Sequence, residues 1–226
     1  MRIQWYGQSA FLLAGERTVV IDPFDRPGEA LAARGLEFHY PPIENVTADL
    51  LLITHEHLDH NAAQVVGGSP TVIRSTAGRF ESPLGEVRAI ASEHDGVAGT
   101  ERGPNTIFCF TLDGIACCHL GDFGQPALRP EQRAAIGNVD VLFVPVGGGP
   151  TIGGEPAAEL VRSIAPRLIV PMHYRTPSVN FLEPPERFLV ALDVRATLIG
   201  ASDAELDHLL GTVAVPTVAL FAAPSI

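Results

Sequence analysis

Leu50-Leu51-Leu52-Ile53-Thr54-His55-Glu56-His57-Leu58-Asp59-His60 is the stretch on which the reading of this chain turns. The apolar run Leu50 to Ile53 reads as a buried strand. It feeds a cluster of three imidazoles and a carboxylate. Three further candidates each follow an apolar run of their own: His94 after Val87 to Ala91, Asp122 after Ile115 to Leu120, and His173 after Leu168 to Met172. Four strand ends converging on one sheet edge is where open α/β architectures place their sites. Mixed imidazole and carboxylate donors suit zinc and its first-row neighbours, whereas all-oxygen sets suit magnesium or calcium.

The spacing sorts these residues into two sets. His55 and His57 are two apart, so on an extended segment they point the same way and can hold one metal together. Asp59 and His60 lie past the turn and face a neighbouring position. Asp122, after Gly121, is the natural carboxylate bridge between two ions. His94 would complete the first set and His173 the second.

Working outward, Arg2 to Tyr6, Ala10 to Leu13 and Thr18 to Ile21 read as a strand meander, with turns at Gly7 and Gly15-Glu16-Arg17. The stretch Asp25 to Pro42 mixes proline, glycine and charge around a short helical segment, Glu29 to Arg34, and is placed to cover a site entrance. Asn61 to Val66 is expected to start a helix. Strands follow at Thr71 to Arg74, Gly85 to Ala91, Thr106 to Leu112, Ile115 to Leu120, Asp140 to Val146 and Leu168 to Met172. Helices are expected at Pro130 to Ile136, Pro156 to Ile164 and Pro185 to Leu192, and a last strand at Val213 to Phe221. Strand runs followed by strand–helix alternation predict an α/β fold of sheets covered by helices. No repeat or linker divides residues 1–226, so one domain is expected.

Composition narrows the partners. The 226 residues are 46% hydrophobic and carry a net charge of −11, and every basic residue is arginine. The absence of lysine removes Schiff-base chemistry and P-loop phosphate binding. An acidic chain with no basic cluster is a poor fit to nucleic acid. Neither a signal peptide nor a membrane span is expected, and the apolar tail Val213 to Ala223 would suit self-association. Cys109, Cys117 and Cys118 read as buried thiols in a reducing compartment, the cytoplasm.

His-x-His-x-Asp-His at 55 to 60, followed by a later His94, Gly121-Asp122 and His173, resembles the metallo-β-lactamase superfamily. The resemblance runs from Asp22 through His173, and within the superfamily it is closest in kind to the compact metal-dependent hydrolases that include ascorbate-6-phosphate lactonase. It implies a four-layer αβ/βα sandwich with a dinuclear site at one edge. By the family pattern His55, His57 and His94 bind the first metal. Asp59, His60 and His173 bind the second, and Asp122 lies between them. Asp22 matches an early aspartate that supports the ligand loop by hydrogen bonds.

The remaining histidines have other readings. His39 and His208 are expected at the surface, and His119 near the site without touching metal. Asp122-Phe123-Gly124 spells a kinase tripeptide but lacks the accompanying loops, and Gly7-Gln8-Ser9-Ala10-Phe11 lacks the closing glycine of a nucleophile elbow. His55-Glu56 does not continue as a zincin helix.

The expected chemistry is hydrolysis of an ester, lactone or phosphoester of a small substrate. Two divalent ions, zinc first and manganese or iron as alternatives, would supply a hydroxide at neutral pH. Asp59 is a candidate to protonate a leaving group, and Glu56 has no catalytic role. Arg102, Asn105, Thr151 and Arg175 are candidate substrate contacts, since arginine's planar fork suits phosphate or carboxylate. A phosphodiesterase acting on nucleotide- or phospholipid-like substrates, and a non-catalytic metal- or ligand-binding protein, remain alternatives.

Overall fold

Apolar runs cut by tight turns make short strands. The computed structural model describes residues 1–194, 196–211 and 216–225, without the side chains of Glu29, Asp207 and His208. In chain order come β1 (Arg2–Gly7), β2 (Ala10–Ala14), β3 (Thr18–Ile21), α1 (Gly28–Ala32), β4 (Val46–Thr47) and β5 (Leu50–Ile53). Then follow β6 (Val66–Gly67), β7 (Thr71–Arg74), β8 (Gly78–Ser82), β9 (Gly85–Glu93), β10 (Pro104–Leu112) and β11 (Ile115–His119). The last stretch holds α2 (Pro130–Ile136), β12 (Val141–Pro145), α3 (Gly154–Ile164), β13 (Leu168–Met172) and α4 (Glu186–Leu192). It closes with β14 (Ala196–Ile199), β15 (Asp203–Glu205), α5 (Leu206–Gly211) and β16 (Thr217–Phe221).

Fourteen of these strands form two large sheets, ordered β15-β1-β2-β3-β5-β7 and β14-β16-β13-β12-β11-β10-β9-β8, and β4 pairs with β6. The pleat of β5 explains why all four of its residues are buried. Leu50 and Leu52 join the main core with Trp5, Phe11, Phe108 and Phe143, whereas Leu51 and Ile53 join a second cluster with Phe24, Phe38 and Tyr40. Phe11 and Phe143, from opposite sheets, bring their ring centroids to 4.7 Å, so the main core lies between the sheets. Each such fully buried side chain contributes about 1.5–3 kcal/mol against exposure. Outer layers complete an α/β sandwich. Ala157, Leu160, Val161 and Ile164 of α3 join the main core, and Leu31 of α1 packs on the second cluster.

Strand direction positions the site. β3 and β5 are parallel, and so are β11, β12 and β13. β9 and β11 both pair antiparallel with β10, so they too run the same way. The residues just after β3, β5, β9, β11, β12 and β13 therefore meet at one edge of the sandwich.

Several expectations are corrected. Asn61 to Val66 is no helix start; it holds one 3₁₀ turn, Ala63–Val65, before Val66 turns extended to pair with Val46. The chain there is pulled off a helical path, because Ala62 N–H donates to Pro23 O and the Asn61 side chain is spent on Glu56 O. The β-branched pair Val65-Val66 and Gly67-Gly68 also disfavour continuation. Helix α3 begins two residues before Pro156, since Gly153 supplies an extended N-cap. Glycine at 154 allows α3 to press on α4: a Cβ there would lie 2.4 Å from Phe188 N. The last strand is described only from Thr217, and residues 213–215 of the expected strand and apolar tail lie outside the described residues, as does the side chain of His208. Strands β8, β14 and β15 were not anticipated; all three are sheet edges without a fully buried residue. His39 is exposed, and the three cysteines are buried free thiols, with Cys109 Sγ 3.5 Å from Cys118 Sγ. No helix among the described residues is long and apolar enough to cross a membrane.

Candidate metal centre

Two backbone cross-links hold the sheets in register where the site forms. Thr106 N–H donates to Thr54 O at 3.0 Å, and His173 N–H donates to Gln8 O at 3.2 Å. Asp22, at the end of β3 and wholly buried, receives three hydrogen bonds. Its Oδ1 accepts Thr54 N–H at 2.7 Å; its Oδ2 accepts the Thr54 hydroxyl at 2.7 Å and His60 Nδ1 at 3.1 Å.

These contacts fix the histidine tautomers by elimination. A carboxylate only accepts, so His60 Nδ1 carries a proton and Nε2 is the nitrogen left to face the centre, where a metal would take it. The single Thr54 hydroxyl proton goes to Asp22, so at 3.0 Å His55 Nδ1 donates to Thr54 Oγ1 and its Nε2 is free. His94 Nδ1 donates to the carbonyl of Pro150 at 2.9 Å, which frees its Nε2 in turn. The loop after β12, Gly147-Gly148-Gly149-Pro150-Thr151, thus orients a ligand from another strand. Gly147 is required there, since a Cβ would lie 2.1 Å from His173 O.

Asp122 Oδ2 is the centre of the constellation. It lies 3.2 Å from His94 Nε2, 3.3 Å from His60 Nε2, 3.2 Å from His173 Nε2 and 3.9 Å from His55 Nε2. The other oxygen accepts the Ser9 hydroxyl at 3.0 Å, and the backbone N–H of Asp122 donates to Asn105 Oδ1 at 3.0 Å. Donor atoms of His55, His57 and His94 lie within 4.8 Å of one another, and so do those of Asp59, His60 and His173. The two sets read from spacing are thus brought together in space, with Asp122 reaching both.

The donor set fits divalent ions. His60 Nε2 is fully buried and makes no hydrogen bond, which is costly for a polar atom unless something else takes its lone pair. His55 Nε2 and His57 Nδ1 face each other at 3.1 Å. Without ions, protons take over part of this role. Burial opposes charge on His60, yet Asp122 and Asp59 outweigh it and hold its pKa well above the usual value. Burial, seconded by His60, drives His55 well below. Burial also opposes ionisation of Asp122, but His173 and His60 prevail and keep it a carboxylate.

Asp59 is half-buried, 3.6 Å from His60 Nε2, and accepts Gln8 Nε2 at 3.3 Å. Burial works against its ionisation, but His60 more than compensates and its pKa is lowered. Asp59 thus faces His60 and Gln8 within the second donor set. His119 accepts Gly121 N–H on Nδ1 at 3.1 Å and donates from Nε2 to Ser9 O at 3.0 Å, so both nitrogens are spent beside the centre.

The candidate substrate contacts divide. Asn105 is buried, and its amide joins Ser92 Oγ, Leu120 O and Asp122 N, so it braces the bridging loop and faces no substrate. Gly121 leaves room for this brace, since a Cβ there would lie 2.3 Å from Asn105 Oδ1. Thr151 is also buried, its hydroxyl turned to Gly148 O and Ile152 O within its own loop. Arg175 Nε donates to Leu182 O at 2.6 Å and so serves chain packing. Arg102 is exposed on the loop after His94, where Asp95 accepts four backbone N–H groups and fixes the turn. Over the stretch Asp25 to Pro42, Phe38 and Tyr40 are buried, and Tyr40 Oη lies 2.9 Å from Thr176 Oγ1.

Gln8 and Ser9, legible in the sequence only as an incomplete nucleophile elbow, contact Asp59 and Asp122. Their signal was two polar residues inside an apolar hairpin, a placement that burial makes costly unless they have partners.

Glu56, between two candidate ligands, turns outward to Arg74, Ser75 and Asn61. Arg74 is the main cause of a pKa lowered to about 2. The depressed value means its stabilisation is full above about 4.5 and lost as pH falls towards 2. This half-exposed pair is worth roughly 1 kcal/mol or less. Glu56→Gln is therefore expected to lower neutral-pH stability by no more than that and to leave metal content unchanged. Loss of a metal in this variant, by elemental analysis, would show that Glu56 does reach the centre.

Residues 2–173 match the model of the beta-lactamase superfamily domain. A UPF0173 metal-dependent hydrolase of Thermococcus kodakarensis is 29% identical over 207 residues, covering 78% of this chain and 85% of the relative. A UPF0173 protein of Pyrococcus furiosus is 31% identical over 90% of this chain and 96% of its own. Among solved structures, a candidate Zn-dependent hydrolase of the metallo-beta-lactamase superfamily from Thermotoga maritima superposes with a TM-score of 0.77. It is 32% identical and covers 98% of both chains.

Proposed function

The chain belongs to the beta-lactamase superfamily, and we propose that it works as a dinuclear metal-dependent hydrolase of a small ester, lactone or phosphoester. The observation that carries this reading is Asp122 Oδ2, one carboxylate oxygen within 3.3 Å of imidazole nitrogens from both ligand sets. Bound there, two divalent ions would lower the pKa of a shared water and polarise the bond under attack.

The chain's own groups prepare the site for that chemistry. His55, His57 and His94 would hold one ion; Asp59, His60 and His173 the other; Asp122 would bridge. Asp22, Thr54 and Pro150 O fix which imidazole nitrogen faces inward, so little reorganisation is needed when ions arrive. Zinc is the favoured metal because the donors are imidazole and carboxylate without thiolate, a set that also admits manganese or iron. A small substrate is favoured by the net charge of −11 and the absence of lysine, which disfavour nucleic acid as a partner. Arg102, exposed beside His94, is the candidate to meet an anionic group on it.

Elemental analysis of purified protein tests the reading. About two ions per chain are expected, removable by chelation, with hydrolysis of a lactone or phosphoester panel lost on removal and restored by zinc. One ion or none after loading would remove the basis for the dinuclear mechanism.

A further inference from the structure

Three buried side-chain polar atoms have no hydrogen-bond partner among the described residues: His60 Nε2, His173 Nδ1 and Gln8 Oε1. The first faces Asp122 at the centre, where a metal would take it. The other two remain unexplained by the ligand assignment, and buried groups of this kind rarely go unpaired.

Their chemistry is complementary. Gln8 Nε2 lies 3.3 Å from Asp59 Oδ2, and a carboxylate can only accept, so the amide nitrogen must face Asp59 and the amide oxygen must face away. Gln8 Oε1 therefore needs a donor. His60 Nε2 is given over to the metal, and Nδ1 donates to Asp22, so His60 cannot be that donor. His173 turns Nε2 towards Asp122 at 3.2 Å, where a metal would take it, and with Nε2 on a metal the ring proton sits on Nδ1. The two residues are already tied, since His173 N–H donates to Gln8 O at 3.2 Å. Both hold left-handed backbone, at φ 48° and 51°, and the indole of Trp5 pins the same Gln8 carbonyl at 2.9 Å.

We propose that Gln8 is the positioning residue of the second metal set, its amide spanning two ligands at once. Nε2–H holds Asp59, and Oε1 accepts the Nδ1 proton of His173 when a metal draws Nε2 into place. A ligating histidine ordinarily donates its other nitrogen to such a partner, which fixes the tautomer and strengthens the ligand. One turn of the β1–β2 hairpin thereby serves both parts of the centre: Gln8 orients Asp59 and His173, and Ser9 anchors the bridge through Asp122 Oδ1. The inference rests on the metal reading given above.

Zinc titration against a competing chelator, with proton NMR of imidazole N–H signals, tests it. In loaded wild-type protein an exchange-protected His173 ring proton is expected, identified by its absence in His173→Ala. Gln8→Leu should lose that signal and weaken the second equivalent of zinc by about 10–100-fold, leaving the first unchanged. The melting temperature of the metal-free protein should change little, because the variant removes an unpaired oxygen from the interior together with the long bond to Asp59. Gln8→Glu keeps an acceptor for His173, and the ring proton should persist in it. Retention of the signal and of both affinities in Gln8→Leu would overturn the proposal, as would an equal loss of both equivalents with a lower metal-free melting temperature. If wild-type protein takes up no second zinc, the dinuclear reading itself fails.

Discussion

Asp122→Asn is expected to reduce bound metal from two ions to one or fewer and to slow hydrolysis by roughly three orders of magnitude, about 4 kcal/mol of transition-state stabilisation. The geometry explains why one atom matters so much. Oδ2 faces His94 of one set and His60 and His173 of the other, while Oδ1 is occupied by Ser9. Asparagine can satisfy Ser9 in either orientation. In one it points N–H donors at nitrogens that offer lone pairs; in the other it supplies a neutral oxygen where a bridging charge is needed. The backbone brace from Asn105 is untouched, so the fold should survive, as circular dichroism would show. A variant that kept two ions and a rate within about tenfold of wild type would mean that the bridge is not needed.

The second large effect is expected from Asp22→Asn, although Asp22 ligates nothing. Its carboxylate demands a proton from both Thr54 Oγ1 and His60 Nδ1 at the same oxygen. An amide nitrogen in that place would donate, forcing His60 to accept on Nδ1 and to carry its proton on Nε2, where the metal should bind. The second set should lose roughly 10–100-fold in affinity, with the first affected less. Chelator competition followed by stepwise reloading resolves the two sets. Equal weakening of both would place Asp22's effect in the fold of the loop, through Thr54, and not in the tautomer of His60.

The fold was legible where residues repeat a simple physical pattern. Leu50 to Ile53 could only be a short strand buried on both faces, and α2, β3, β7 and β13 match the expected spans because their apolar runs end at turn residues. It was illegible where tertiary contacts overrode local preference. Asn61 to Val66 has helical composition, yet Pro23 and Val46 take up its backbone groups. The edge strands β8 and β14 carry little burial to mark them, because an edge strand's stability comes from the partner it adds to.

For the site, the spacing of His55, His57, Asp59 and His60 set the ligand types, and the order of His94, Asp122 and His173 set which strands must converge. These follow from sequence because alternation along an extended chain and turns after strands are local properties. What the sequence could not show is which atoms meet. Asn105 looked like a substrate contact and is a brace; Gln8 and Ser9 looked like an incomplete motif and stand against Asp59 and Asp122. The choice of tautomer at His55, His60 and His94 depends on Thr54, Asp22 and Pro150 O, and two of those three bonds join residues 38 and 56 positions apart. Hydrogen bonds over such separations exist only once each sheet has set β3 beside β5 and brought the ends of β9 and β12 to one edge, so composition and spacing named the ligands and tertiary structure aimed them.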